Sequence, residues 1–240
     1  MRQLSAEGGL GLNPHSFPTR RSSDLLILAI EGSGPKETLD VLDNAKIPLV
    51  SFPESYSEQG LIDKIKLVAH AMDVDSRGAC LTAAVQNDLA ELKTLRDGVK
   101  KPARVMFVMS FLNGRAMVAG QKTAANEIIK MAGGVNAVEG FDGYKPVNDE
   151  AIVAAKPDVV LTMERGREQL DAATVFANPA FALTPAAAKK SFVAMDGLYL
   201  LGFGPRTAAA ARDLAVSLYP DLAQKAAAWK PAALSVDCHK

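Results

Sequence analysis

The chain has 240 residues, with 27 basic and 27 acidic side chains and 48% hydrophobic residues. That length suits one large domain or two modest lobes, and a balanced charge without a long basic tract argues against nucleic acid as a partner. No apolar run is long enough to span a membrane, and the two cysteines, Cys80 and Cys238, fit no zinc-ligand spacing.

In chain order, residues 4–14 (LSAEGGLGLNP) form a predicted short helix stopped at proline, and residues 25–30 a strand. Residues 31–35 make a tight loop opening a helix through Leu39, Val41 and Leu42. Residues 47–52 form the next strand. Ser55 and Glu58 have capping-box spacing before a helix with Leu61, Ile65, Val68 and Met72 on one face and His70 on its surface. Next comes the longest helical pattern, in which Leu81, Val85, Leu89, Leu92 and Leu95 recur at helical spacing. Asp75 or Ser76 can cap its start and Gly98 suits its end. About 22 residues of helix span about 33 Å, enough to join two α/β lobes as a strut. Cys80 falls on its apolar side and is expected in the core.

After the strut, residues 104–109 form a strand, and residues 111–120 a turn and a short strand. Thr123 caps a helix ended by Gly133 and Gly134, and residues 139–146 form a loop. A helix (149–155), a strand (158–163), helical sequence (167–176) and strands at 192–196 and 198–201 follow. The motif GFGPRT then opens the last long helix, 208–218, before an Ala- and Lys-rich tail without a readable pattern. Alternating strands and helices indicate an α/β fold of two Rossmann-like lobes with mostly parallel sheets. The expected division is a partial first lobe (1–74), an interlobe helix (75–101), a second lobe (102–220) and a tail (221–240).

The two halves repeat one another. Glu7 precedes Pro14 by the interval at which Glu150 precedes Pro157, and a strand follows each proline. Residues 15–25 (HSFPTRRSSDL) break the first copy, and this segment resembles a peptide read in frame from adaptor DNA. The first lobe shows about two strands against about four in the second, so it is expected to be incomplete, with Met1 not the native start.

Four blocks, residues 2–14 with 26–35, GRAMVAGQKTAANEIIKMAGG, GYKPVNDEAIVAAKPDVVLTM and LLGFGPRTAAAARDLA, resemble the periplasmic haem-binding proteins of bacterial haem ABC importers. These sit within the wider class of iron-siderophore and cobalamin binding proteins. The resemblance implies a periplasmic binding protein fold of the helical-backbone type, with haem as the transported ligand held between the lobes. The implied partners are a permease and its ATPase. It implies no catalysis, and a periplasmic location with the signal peptide missing from this chain. The usual tyrosine iron ligand would come from a first-lobe segment upstream of Arg2, which leaves the metal ligand of this chain open.

A haem pocket needs apolar walls, cations for the propionates and an iron ligand. Arg206 matches the cleft arginine of the resembled family, and a guanidinium suits a carboxylate or a phenolate. Met117 would supply wall, and Tyr144, in a Gly-rich loop, would face the cleft. Phe111 and Asn113 sit at a strand end, where α/β folds bind ligands. Glu37 resembles the first-lobe glutamate that docks on the permease, with Glu164 or Glu168 as its second-lobe counterpart. The competing readings are a ferric-siderophore or cobalamin binder of the same fold, a sensor without transport, and an enzyme. The last lacks a GxGxxG after a strand and a nucleophile elbow.

Overall fold

The computed structural model describes residues 2–3, 26–44, 47–164, 166 and 170–238. The helix expected over residues 4–14, the segment 15–25 and Glu168 lie outside the described residues.

The first lobe consists of β1 (Arg2–Gln3), β2 (Ile27–Ile30), α1 (Lys36–Asn44), β3 (Leu49–Phe52) and α2 (Glu58–Ala71). Its strands run parallel in the order β1-β3-β2, so β1 adds a strand that composition did not reveal. Val50, Phe52 and Ala71 form its small core. The start of α2 differs from the capping-box reading. Ser57, with extended backbone, is the N-cap, and its Oγ accepts the Gly60 N–H at 2.9 Å, while Ser55 only approaches Ser57 at 3.1 Å. Met72, expected inward, lies where the chain leaves α2 and is 49% exposed. His70 lies 3.2 Å from Asp75 across the turn into the next helix.

That helix, α3 (Asp75–Arg96), has 22 residues, as the leucine spacing predicted. Its N-cap is Val74, without a side-chain cap, and Asp75 instead places its charge in the first turn, where the helix dipole favours an anion. Gly78 is buried at the crossing with α2, where a Cβ would strike Ala69. Leu61, Ile62 and Ile65 of α2 join Val85, Leu89, Leu92 and Leu95 of α3 in one core with the second lobe. The strut is therefore packed along its length rather than exposed between lobes.

The second lobe contains β4 (Arg104–Leu112), β5 (Arg115–Ala119), α4 (Ala124–Met131), β6 (Val135–Asn136), β7 (Tyr144–Pro146), α5 (Asp149–Ala155) and β8 (Val159–Glu164). It continues with α6 (Ala172–Ala177), α7 (Pro179–Ala182), α8 (Pro185–Lys189), β9 (Phe192–Asp196), α9 (Gly197–Leu201) and α10 (Thr207–Leu218). Its sheet runs β7-β5-β4-β8-β9, with β6 beside the start of β4. Val105 to Val108 are wholly buried, because helices cover both faces of the central strand. One face packs on α2, α3, α4 and α10, and the other on α6, α7 and α8.

Three local expectations change. Residues 144–146 form an edge strand rather than loop, since Tyr144 and Pro146 pair antiparallel with Ala119 and Met117. Residues 198–201 form α9 rather than a strand, because Asp196 Oδ1 accepts the Tyr199 N–H at 2.7 Å and caps a helical turn. The helical sequence near 167–176 resolves, among the described residues, into α6 starting after the cap Asp171.

The tail is also ordered. A 3₁₀ turn (Pro220–Leu222), α11 (Ala223–Ala228) and a second 3₁₀ turn (Ala232–Leu234) strap it across α3 and α10. Cys238 is disulfide-bonded to Cys80 with Cα atoms 5.8 Å apart, so Cys80 is half-buried and bridged rather than a core thiol. The Tyr219 hydroxyl accepts the Ala103 N–H and donates to the Gly133 carbonyl, both at 2.8 Å. Tyr219→Phe should cost about 2 kcal/mol in denaturant unfolding, because two backbone groups lose their partner in a half-buried site.

Candidate functional site

The segment GFGPRT forms a loop shaped by its own side chains. Phe203 adopts a left-handed backbone (φ 41°) and is 2% exposed, so its burial holds a conformation that a bulky residue otherwise avoids. Its ring meets Tyr56 of the first lobe edge-on at 5.1 Å. Its carbonyl accepts Lys64 Nζ of α2 at 3.1 Å. Burial lowers the Lys64 pKa, and the Glu54 carboxylate opposes that shift. The Thr207 hydroxyl donates to the Gly204 carbonyl at 2.8 Å and closes the turn. Arg206, the next residue back, is the N-cap of α10 and is exposed. Its guanidinium lies over the Tyr199 ring, 5.5 Å from the centroid, and among the described residues no carboxylate pairs with it.

The second wall comes from the edge of the sheet. Ala119 pairs with Tyr144 and Met117 with Pro146, so Met117 and Tyr144 are diagonal neighbours on one face. The Tyr144 ring packs edge-on against Phe107 at 6.3 Å, which fixes that face as the one toward α3 and α4. Tyr56 and Tyr144 both pack, half-buried, against the core that contains Phe203 and Phe107. The Tyr56 pKa is pushed up, mainly by burial, then by the adjacent Glu54 carboxylate, with a smaller contribution from Tyr144. In this arrangement Tyr56 favours the neutral phenol over a phenolate. Tyr56, Phe203 and Tyr144 thus belong to one core to which both lobes contribute, with Met117 diagonal to Tyr144 on the sheet and Arg206 three residues beyond Phe203 in sequence.

The remaining predicted residues lie elsewhere. Phe111 packs edge-on against Phe181 at 6.1 Å, on the opposite face of the sheet from Tyr144. A register shift between Val108 and Ser110 reverses side-chain parity along β4 and turns Phe111 away. Asn113 (φ 50°) and Gly114 (φ 78°) make the two-residue turn of the β4–β5 hairpin, a left-handed pair for which Asn-Gly is the favoured sequence. Glu37 is exposed in the first turn of α1, and Glu164 is exposed at the end of β8. Among the described residues no group of three His, Cys, Asp or Glu side chains could hold a bare metal ion. Tyr56, Glu54, Lys64 and Tyr199 were not singled out in the sequence. The place of Tyr56, just past the C-terminal end of a parallel strand, was the one available signal.

Comparison with known proteins places this geometry in context. Residues 24–198 match the periplasmic binding protein family. Among solved structures, the chain is similar to the periplasmic heme-binding protein BhuT in complex with two hemes. The two are 38% identical with a TM-score of 0.77, covering 82% of this chain and 75% of that one. It is likewise similar to the periplasmic heme-binding protein RhuT from Roseiflexus sp. RS-1 in apo form, at 34% identity and TM-score 0.77, covering 82% and 76%. A curated relative, an uncharacterized ABC transporter substrate-binding lipoprotein (YvrC) of Bacillus subtilis (strain 168), is 22% identical over 199 residues. That match covers 82% of this chain and 62% of the relative, so the chain spans less than two thirds of the relative's length.

Proposed function

Because the chain belongs to the periplasmic binding protein family over residues 24–198, we propose that it is the substrate-binding component of an ABC importer, with haem as cargo. The observation that carries this reading is an aromatic group drawn from both lobes, Tyr56, Phe203 and Tyr144 in one core, followed three residues after Phe203 by an exposed arginine with no carboxylate partner among the described residues. Haem is a flat apolar disc bearing two carboxylates, so it needs both features at once. Arg206 would bind a propionate bidentately, with Met117, Tyr144 and Phe203 against the porphyrin. The heme-binding identity of BhuT and RhuT, at 38% and 34% identity, supports haem over other iron ligands. Tyr144 is the better candidate phenol for the iron, since burial and Glu54 hold Tyr56 protonated. Phe111 and Asn113 have structural roles and are not part of this site.

A binding and delivery role needs no reaction step. Exposed Glu37 and Glu164, one on each lobe, would meet basic residues of the permease, which an ATPase drives. The disulfide between Cys80 and Cys238 supports a location outside the cytoplasm, because such bonds persist in oxidising compartments. Among the described residues, no helix is long and apolar enough to cross a membrane.

Haem titration by absorbance tests the site. Arg206→Ala should weaken binding about tenfold or more, the loss of one charged hydrogen-bonded contact. An unchanged affinity would remove Arg206, and with it the proposed propionate contact.

A further inference from the structure

Arg206 is an exposed side chain with many rotamers, yet a ligand cation works best when it is already in place. Among the described residues no carboxylate pairs with it, and its guanidinium lies over the face of Tyr199, 5.5 Å from the ring centroid. Tyr199 is itself fixed at both ends. Its backbone N–H caps onto Asp196 at 2.7 Å, and its hydroxyl donates to Asp213 Oδ2 at 2.8 Å. The other oxygen of Asp213 accepts Arg212 Nε at 2.8 Å and pairs with Arg212 Nη2 at 2.7 Å. Arg212 in turn lies over the Trp229 ring at 5.5 Å and donates through Nη1 to the Trp229 carbonyl at 3.2 Å. Trp229 belongs to the C-terminal strap, and its indole N–H points to Asp88 of α3 at 3.4 Å.

These contacts form a continuous chain from the strut and strap to Arg206. Burial, and secondarily Asp213, push the Tyr199 pKa up, so the phenol stays a donor to Asp213. The ring then keeps its electron-rich face toward the guanidinium. We propose that Tyr199 is a positioning residue for Arg206, holding the ligand-binding cation on a ring that Asp213, Arg212 and Trp229 anchor to the C-terminal strap. This rests on the reading that Arg206 meets a carboxylate of the cargo. It adds a role for the strap.

The test is a double-mutant cycle read by titration with haem and with haem dimethyl ester, whose propionates carry no charge. Tyr199→Leu should weaken haem about fivefold, the scale of a cation–π contact. It should leave the ester's affinity unchanged, and it should add no further loss in an Arg206→Ala background. Tyr199→Phe, which keeps the ring and its volume, should give a smaller loss with the same selectivity and guards against a folding defect in the leucine variant. A loss shared equally by haem and its ester, or one that adds fully to Arg206→Ala, would overturn the positioning role. Loss of haem affinity in Arg206→Ala with none in either Tyr199 variant would overturn it too. If Arg206→Ala itself binds haem normally, the carboxylate reading fails first, and the proposal with it.

Discussion

Asp88→Ala is expected to lower the free energy of unfolding by about 3 kcal/mol, since hydrogen bonds to a charged group contribute roughly 1.5–3 kcal/mol each and the orphaned partners add a penalty. Asp88 lies in the middle of α3 and is 1% exposed, a costly place for a carboxylate unless it is well paired. Its partners all come from the strap. Oδ1 accepts the Ala232 N–H at 2.6 Å and the Trp229 indole at 3.4 Å, and Oδ2 accepts the Ala233 N–H at 2.8 Å. The carboxylate thus caps the second 3₁₀ turn from outside that turn. Alanine would leave the two backbone donors and the indole without their acceptor. Asp88→Asn, which keeps one acceptor oxygen, should cost about half as much. Urea unfolding gives the values, and a loss under about 1 kcal/mol for the alanine variant would mean that the strap is not docked as described.

Removing the disulfide should have an effect of similar size. The bond closes a sequence separation of 158 residues, for which the chain-entropy relation gives about 5 kcal/mol, with measured values usually near 2–4 kcal/mol. Cys80→Ser with Cys238→Ser should therefore lower stability by about 3 kcal/mol, and the unsubstituted protein in reductant should match the double variant. The disulfide and Asp88 hold the same strap to the same helix, so their effects should not add: once either tether is lost, the other does less. Full additivity would show two independent supports.

Features carried by local periodicity were legible in the sequence. The leucine repeat revealed α3 and its length of about six turns, though not its exact ends, and Thr123 caps α4 as its position suggested, accepting the Asn126 N–H at 3.1 Å. Short apolar runs were not decidable in the same way. Leu198 to Leu201 have strand-like composition, and only the Asp196 cap turns them into a helix. The strap was invisible because its contacts are backbone N–H groups meeting Asp88 some 144 residues earlier, an arrangement without a sequence period. The disulfide was hidden for the same reason.

The candidate site divides along similar lines. Arg206 and Tyr144 stood in recognisable blocks, GFGPRT and GYKP; in the fold Arg206 lies over Tyr199 and Tyr144 packs on Phe107. Phe111 was misplaced because one irregularity in β4 reverses its face, a shift that alternation alone cannot reveal. Tyr56 and Lys64 matter through Phe203, more than a hundred residues further along the chain. Tyr199, in α9 rather than in a strand, faces Arg206 with its ring, a contact that the strand reading of 198–201 did not suggest.

The most direct test of the central claim, that this cleft takes haem, is a set of equilibrium titrations of the folded chain with haem, cobalamin and a ferric siderophore, each followed by ligand absorbance. Saturable binding of haem alone, weakened by Arg206→Ala and not displaced by the other two ligands, is the predicted result. Failure of the folded chain to saturate with haem, or preference for cobalamin or the siderophore, would contradict it and assign the same fold a different cargo.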